Sequence, residues 1–382
     1  MKHKSHFALL FMLPVALASC GQVKGYADHL QDYAVDMDYR DGFTILQLSD
    51  IHWSYNTSTP ASKRYLEKVI AETDKHVKAT GGQIDLVELT GDQFMLANAY
   101  HVESFLNFFE EQATKYGFKY AAIWGNHDRH GLYNPNWIAD KFRQAAHCFY
   151  IEEDDDLYGR SNFVINLKQG NDVKWQIANL DSGASFSETA LSPFRDYDYI
   201  RKDQTQWWLA EHNLVGDKVP AIAYYHIPQQ DNEILWKAVQ NGAPNKNKFF
   251  KLEGFADNGT ERGVSDFIPT AKQHNLKAAF MGHAHNIDWT VEDDDGLVLG
   301  LGVKTGPELY YAHILTDDPD PAVKKGLEST GINENFDLIG ASLVTFRHQD
   351  EDNDGFEDGA FDLEHLYLNE RASGDFVKWV NW

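Results

Sequence analysis

Sulfur and positive charge are both scarce in this 382-residue chain, which has two cysteines, five methionines and 34 Lys plus Arg against 58 Asp plus Glu. Two cysteines cannot build a disulfide framework, so the fold must stand on its apolar core. The 43% hydrophobic content is sufficient for that and excludes a disordered chain. The formal net charge of −24 opposes docking onto nucleic acid or an anionic membrane by bulk electrostatics, and it attracts cations instead. No large nucleic-acid partner is expected. Internal repeats and Pro/Gly/Ser-rich linkers are absent, which argues for one domain rather than two separated halves. Aromatic residues, by contrast, are plentiful: 23 Phe, 18 Tyr and 10 Trp supply either a solid core or aromatic-lined grooves.

The N-terminus has a basic start at Lys2 and Lys4, an apolar stretch from Phe7 to Ala18, and small residues before Cys20. This is the pattern of a secretory signal over residues 1–19, too short for a transmembrane span. Leu17, Ala18, Ser19 and Cys20 resemble the lipobox of bacterial lipoproteins. That resemblance implies cleavage before Cys20, diacylation of its thiol, and an exported protein anchored to a membrane of the cell envelope, since two acyl chains hold where one does not. An ordinary cleaved signal with an incidental cysteine is the alternative. Cys148 is then the remaining thiol, in the apolar context AAHCFY; it reads as a packing residue rather than a catalytic one. Residues 20–40 lack periodicity and read as a tether to a single domain over 41–382.

Within that domain the run FTILQLSDIHW from Phe43 to Trp53 reads as a buried strand ending in Asp50 and His52. A helix opened by Thr59 and Pro60 carries Tyr65, Leu66, Val69, Ile70 and Val77 at helical spacing, and Gly81 and Gly82 stop it. Strand Ile84 to Leu89 then leads into Gly91 and Asp92. Helix Tyr100 to Tyr116, with Gly117 as its C-terminal stop, precedes strand Tyr120 to Trp124 and the tetrapeptide Gly125, Asn126, His127, Asp128. Strands alternating with helices indicate an α/β sheet with crossover connections, whose ligands gather beyond the carboxyl ends of the strands. After a helix from Pro135 to Ala146, the alternation over Ser161 to Leu167 and Val173 to Leu180 marks a hairpin. A helix carrying Trp207 and Trp208 follows. Strand Val219 to Tyr225 ends at His226, and helix Ser265 to His274 precedes strand Leu276 to Met281, which ends at Gly282, His283, Ala284, His285. The remaining β-like runs (287–291, 297–301, 338–346, 363–368 and 376–380) suggest a second sheet, and the acidic stretch 316–335 a surface loop.

Five strand ends thus carry metal-ligand residues: Asp50 with His52, Asp92, Asn126 with His127, His226, and His283 with His285. Alone, each has an ordinary explanation as a turn residue, a cap or a hydrogen-bonded histidine. Their recurrence at the edge where strand ends converge is what points to a site. Oxygen and nitrogen donors without thiolate suit two divalent or trivalent first-row ions such as Fe, Mn or Zn. A metal pair about 3.5–4 Å apart can clamp both oxygens of an in-line displacement and supply hydroxide at neutral pH.

In order and spacing, D-x-H at Asp50 and His52, G-D at Gly91 and Asp92, G-N-H-D at Gly125 to Asp128, the strand-end His226, and G-H-x-H at Gly282 to His285 resemble the calcineurin-like metallophosphoesterases over about residues 43–303. The resemblance implies the metallo-dependent phosphatase fold, a four-layer α/β/β/α sandwich of two mixed β-sheets. It gives Asp50, His52 and His285 to one metal and Asn126, His226 and His283 to the other, with Asp92 bridging. His127 would face the phosphate and protonate the leaving oxygen or stabilise transition-state charge. Asp128 either orients that imidazole or serves as a structural acid; Arg129 and His130 either contact substrate phosphate or lie on the surface. The segments Leu180 to Gly183, Tyr199 to Trp208 and Gly302 to Gly306 are similar to a purple-acid-phosphatase-like branch of small phosphatases. True purple enzymes carry a tyrosine ligand three residues after the bridging aspartate, where this chain has Met95, and they lack the histidine present here as His52, so no tyrosinate-to-iron colour is expected. The implied activity is hydrolysis of small phosphomonoesters by attack of metal-bound hydroxide on phosphorus. Phosphodiester hydrolysis on nucleotides or phospholipid head groups, and an inactive surface-binding lipoprotein, are the alternatives. Asp350, Asp352, Asp354 and Gly355 resemble the opening of an EF-hand loop, but Phe361 stands where a bidentate Glu is needed; a solvated acidic turn is favoured over weak calcium binding.

Overall fold

In the computed structural model, the described residues are 25–53, 58–129, 134–153, 156–186, 196–240, 250–251, 265–285, 287–306, 339–369 and 376–381. The chain opens with β1 (Ala34–Asp38) and β2 (Thr44–Leu48), then α1 (Ser58–Ala79), β3 (Leu86–Thr90), α2 (Ala99–Tyr116), β4 (Lys119–Ile123), α3 (Pro135–Gln144) and β5 (Cys148–Phe149). A hairpin of β6 (Phe163–Gln169) and β7 (Asp172–Asn179) follows, with a small ribbon of β8 (Ser185–Phe186) and β9 (Asp196–Tyr197). Next come α4 (Lys202–Val215), β10 (Ala221–Tyr224), α5 (Gln230–Gln240), β11 (Phe250–Lys251), α6 (Phe267–Lys272) and β12 (Leu276–Met281). The chain ends on β13 (Ile287–Glu292), β14 (Val298–Leu301), β15 (Ile339–Phe346), β16 (Phe361–Asn369) and β17 (Phe376–Asn381).

These strands form two mixed sheets, in the orders β17-β16-β15-β2-β3-β4-β5 and β1-β6-β7-β10-β12-β14-β13-β11. The period of two along each strand decides the layering. In the first sheet Ile45, Leu86, Ala121 and Ile123 face the second sheet and pack with Ile165, Ile177, Tyr224 and Phe280, while Trp175 stacks on Phe346 at 3.9 Å. Their neighbours Leu46, Leu48, Val87, Leu89, Tyr120 and Ala122 face the other way, onto α1, α2 and α3. On the far side, Trp207 and Trp208 of α4 and Phe267 of α6 cover the second sheet. The result is the α/β/β/α sandwich expected from the resemblance. Gly117 ends α2 at φ 85°, as read, and at its start Asn98 accepts from His101 N.

Several boundaries differ from the sequence reading. Residues 34–38, assigned to a tether, instead form β1 and pair in parallel with β6. Its sequence AVDMD has the short polar alternation of an edge strand, which periodicity does not separate from a linker. The strand expected over 84–89 lies two residues later at its start, and the two-residue strands β5, β8, β9 and β11 left no pattern to read. Cys148 is partly buried against the core beneath α2 and α3, where burial pushes its thiol up, consistent with a packing role. Cys20 and the acidic stretch 316–335 lie outside the described residues, and no helix among those described is long and apolar enough to cross a membrane.

Glu211 in α4 is buried with Oε1 unpartnered, and burial raises its carboxyl to about 8. An unfolded chain ionises Glu at about 4.3. Between these values the folded state holds the extra proton, so this residue's contribution to stability falls as pH rises through that window. Glu211→Gln should therefore have a melting temperature close to wild type at pH 4 and above it at pH 8 and beyond. A difference that stays constant with pH, read by calorimetry, would contradict the assignment.

Candidate metal centre

Neighbouring strands β2, β3 and β4 of the first sheet, and β10 and β12 of the second, end at one edge of the sandwich. Each releases its chain into a turn that bends back toward the strand ends. Asp50, His52, Asp92 and His283 adopt left-handed backbone conformations, with φ of 51°, 51°, 52° and 74°. Such angles cost a non-glycine residue about 1–2 kcal/mol and concentrate where the surroundings enforce them. Cross-links between turns do so here: Asp50 N donates to Gly91 O at 3.2 Å, His52 N to Asp92 O at 3.0 Å, and Gly282 N to His226 O at 3.1 Å. Gly91 must be a glycine, since a Cβ there would lie 2.4 Å from His226 Nδ1.

The side chains converge in two groups. Asp50, His52, Asp92 and His285 place one donor atom each within 4.8 Å of one another, and Asp92, His226 and His283 do the same. Asn126 joins the second group through Oδ1, 3.1 Å from His226 Nε2 and 2.9 Å from His283 Nδ1. Asp92 belongs to both groups. His226 Nδ1 lies 2.8 Å from Thr90 O, which sets that nitrogen as the N–H donor and leaves Nε2 facing Asp92 Oδ2 at 3.2 Å. The Asp50 carboxylate is oriented by Ser49 Oγ and by His283 N at 2.9 Å, both on Oδ2, while Oδ1 faces His285 Nε2 at 3.4 Å.

Two observations favour a metal pair at this cluster. Both ring nitrogens of His52 are buried without a hydrogen-bond partner, a cost that protein structures rarely carry unless another group satisfies it, and Asp50 Oδ1 and Asp92 Oδ2 face imidazole nitrogens at 3.4 and 3.2 Å. The donor set of carboxylate, imidazole and amide oxygen, without sulfur, also suits borderline first-row ions. Burial alone would raise both carboxyls, yet His285 and His52 hold Asp50, and His226 holds Asp92, well below the usual carboxylate range. Burial lowers His226, but Asp92 outweighs it and raises it to about 9, so His226 would release a proton on binding an ion. Burial takes His52 and His283 down to about 3, in the neutral form a ligand requires.

His127 N donates to Asp92 Oδ1 at 2.7 Å, and its partly exposed ring stands 5.2 Å from that of buried His52, at the rim of the cluster. Asp128, read as either orienting that ring or structural, takes the structural place. Its two oxygens accept from Phe94 N at 2.9 Å and Gly125 N at 2.8 Å, and burial and the nearby Asp92 push its carboxyl up to about 8. Arg129 is ion-paired with buried Asp181 and lies over the Trp124 ring. It joins the G-N-H-D turn to the Leu180 to Gly183 segment rather than reaching toward the cluster as an unengaged cation. His130 lies outside the described residues. Trp53 packs beneath the site, donating to Ser104 Oγ at 2.9 Å. The Asp350, Asp352 and Asp354 carboxylates do gather, but on the surface, where they accept backbone N–H groups of their own turn and Lys218 Nζ.

Sequence reasoning missed Ser49, Thr90 and Tyr197, and it singled out the segments carrying Asp181 and Lys304 by resemblance without giving either residue a role. Tyr197 packs its ring on that of His283 at 4.2 Å, and Lys304 is buried against Asp50.

A family model described as calcineurin-like phosphoesterase matches residues 43–286. Two curated Arabidopsis thaliana proteins, named probable inactive purple acid phosphatase 28 and probable inactive purple acid phosphatase 14, are each 24% identical, over 285 and 284 residues. Each match covers 65% of this chain and 66% or 67% of the relative, so the chain spans about two thirds of their length. A solved protein serine/threonine phosphatase from Saccharomyces cerevisiae, with similarity to human phosphatase PP5, aligns at 11% identity and a TM-score of 0.30, covering 84% of this chain and 79% of that one. That score is too low to carry an argument.

The shared position of Asp92 separates it from ligands that serve one group. Asp92→Ala should leave less than one metal ion per chain by elemental analysis, whereas His285→Ala should retain about one. Equal metal contents in the two variants would contradict a shared carboxylate.

Proposed function

The chain belongs to the calcineurin-like phosphoesterase family, and from that premise we propose that it is a bimetal-dependent phosphoesterase acting on small phosphomonoesters. The observation that carries the reading is Asp92, a buried carboxylate common to the two groups of candidate ligands. Asp50, His52 and His285 would hold one ion and Asn126, His226 and His283 the other, with Asp92 on both. When bound, such a pair lowers the pKa of a coordinated water and neutralises phosphate charge. That neutralisation matters in a chain of net charge −24, which otherwise repels an anionic substrate.

The protein's own groups supply orientation and a proton. Thr90 O fixes the His226 tautomer, and Ser49 Oγ and His283 N fix the Asp50 carboxylate. Asp92 Oδ1 accepts from His127 N and so ties the rim of the site to its bridging carboxylate. From the rim, the His127 imidazole donates a proton to the leaving oxygen or a hydrogen bond to the phosphoryl group. The chemistry serves monoesters and diesters alike, and the metal identity, Fe, Mn or Zn, is part of the proposal. Met95, partly buried, stands at the purple enzymes' tyrosine position and supports a colourless centre.

A second reading, a binding protein that has kept the fold and lost the reaction, takes support from the names of the Arabidopsis relatives. The full set of seven candidate ligands together with His127 weighs against it here. Export and anchoring through Cys20 rest on the sequence of residues 1–20 alone. Cys20→Ser should move the protein from the membrane to the soluble fraction; unchanged membrane retention would remove the anchor from the account.

Turnover of p-nitrophenyl phosphate by metal-loaded protein should exceed that of its bis ester, and a preference for the diester would reverse the choice of substrate. His127→Ala should lower kcat by about 10²–10⁴-fold with metal content unchanged. No hydrolysis across a broad panel by fully loaded wild-type protein would favour the binding reading.

A further inference from the structure

The segment Gly302 to Gly306, GVKTG, is not part of either ligand group, yet it lies directly against the turn that presents Asp50 and His52. Lys304 is 1% exposed, and its Nζ donates to the backbone oxygen of Asp50 at 2.8 Å. The residues on either side continue the contact. Lys304 bridges Ser49 in parallel, Thr305 N donates to Ser49 O at 2.8 Å, and Ser49 N donates to Thr305 Oγ1 at 3.2 Å. Gly306 lies so close to the turn that a Cβ would come within 2.1 Å of Ile51 O and 2.6 Å of Asp50 O. The segment is itself held, with Gly302 N donating to Met281 O and Gly340 N to Lys304 O, each at 2.9 Å. It is therefore tied to strand ends of both sheets.

A buried lysine is uncommon, since taking an ammonium out of water is costly unless it is well hydrogen-bonded. Packing alone would be served as well by leucine or methionine. Placed near an expected metal, an ammonium would by charge alone repel the ion. What it gains here is a hydrogen bond to the carbonyl of a residue in a strained left-handed conformation, at the point where two candidate ligands leave the strand.

We propose that Lys304 is a positioning residue for one half of the metal pair. Its bond to Asp50 O, with the paired Thr305 and Ser49 and the close approach of Gly306, holds the Asp50 to His52 turn in the conformation that binds the ion shared by Asp50, His52 and His285. Lys304 reaches the Asn126, His226 and His283 half only indirectly, through the bond from His283 N to the Asp50 carboxylate at 2.9 Å, so its main effect falls on the Asp50 side. The inference rests on the metal-site reading above and assigns a local, one-sided role within it.

Positioning and charge give opposite signs, which makes the test decisive. Zinc is titrated calorimetrically into folded apoprotein of wild type, Lys304→Met and Thr305→Val, with far-UV circular dichroism as the control for folding. Wild type should bind two ions per chain. Lys304→Met should bind one with wild-type affinity and the other at least tenfold more weakly. Adding His283→Ala to Lys304→Met should then abolish the remaining tight site, whereas adding His285→Ala should leave it. Thr305→Val keeps the ammonium and removes only the acceptor for Ser49 N; it should weaken the same single site, and it decides the matter if Lys304→Met fails to fold. Two unaltered sites, or tighter binding at the Asp50 site once the cation is removed, would overturn the proposal. Equal weakening at both sites would also overturn it, as the mark of a general structural role. Wild-type protein that takes up no zinc, manganese or iron would overturn the metal-site reading itself, an outcome distinct from the others.

Discussion

The site depends on one backbone constraint: strands that run straight to the edge of the sandwich must turn back on themselves so that their side chains meet. Among the described residues, six non-glycine residues have positive φ, and four of them are Asp50, His52, Asp92 and His283. The other two are Asn275 and Asn353, a residue type that tolerates the left-handed region. Strain in this chain is thus placed at the candidate ligands. It persists because the rest of the fold supports it: rigid parallel strands deliver the turns, backbone hydrogen bonds couple them, and Asp128 uses its buried carboxylate to fix two backbone N–H groups nearby. A looser scaffold would relax these angles and separate the donors.

Much of this was legible in the sequence. Apolar alternation located the central strands to within a residue or two, because each of those strands is buried on both faces and every side chain answers to a core. The candidate ligands were legible because carboxylates and imidazoles stand immediately after such strands, where a core residue would otherwise be expected. The edges were not legible. β1 has one neighbour and partly exposed side chains, so its pattern merges with that of a linker, and two-residue strands such as β5 and β11 are too short to have a period.

The supporting residues were harder to see for a different reason. Lys304 acts on Asp50 across 254 positions of sequence, and Asp181 on Arg129 across 52. Such roles exist only as contacts, and no local pattern encodes them. Arg129 shows the same limit. Its place directly after the G-N-H-D motif left substrate contact and a surface position both open, and in space it pairs with a buried carboxylate on a different strand end. Proximity in sequence to a ligand is weaker evidence than a partner in space.

The central claim is that two ions flank Asp92, one on the Asp50, His52 and His285 side and one on the Asn126, His226 and His283 side. Anomalous diffraction from crystals of the metal-loaded protein tests it directly. The account predicts two peaks about 3.5–4 Å apart with the Asp92 carboxylate between them. A single peak, or a pair located away from Asp92, would contradict it.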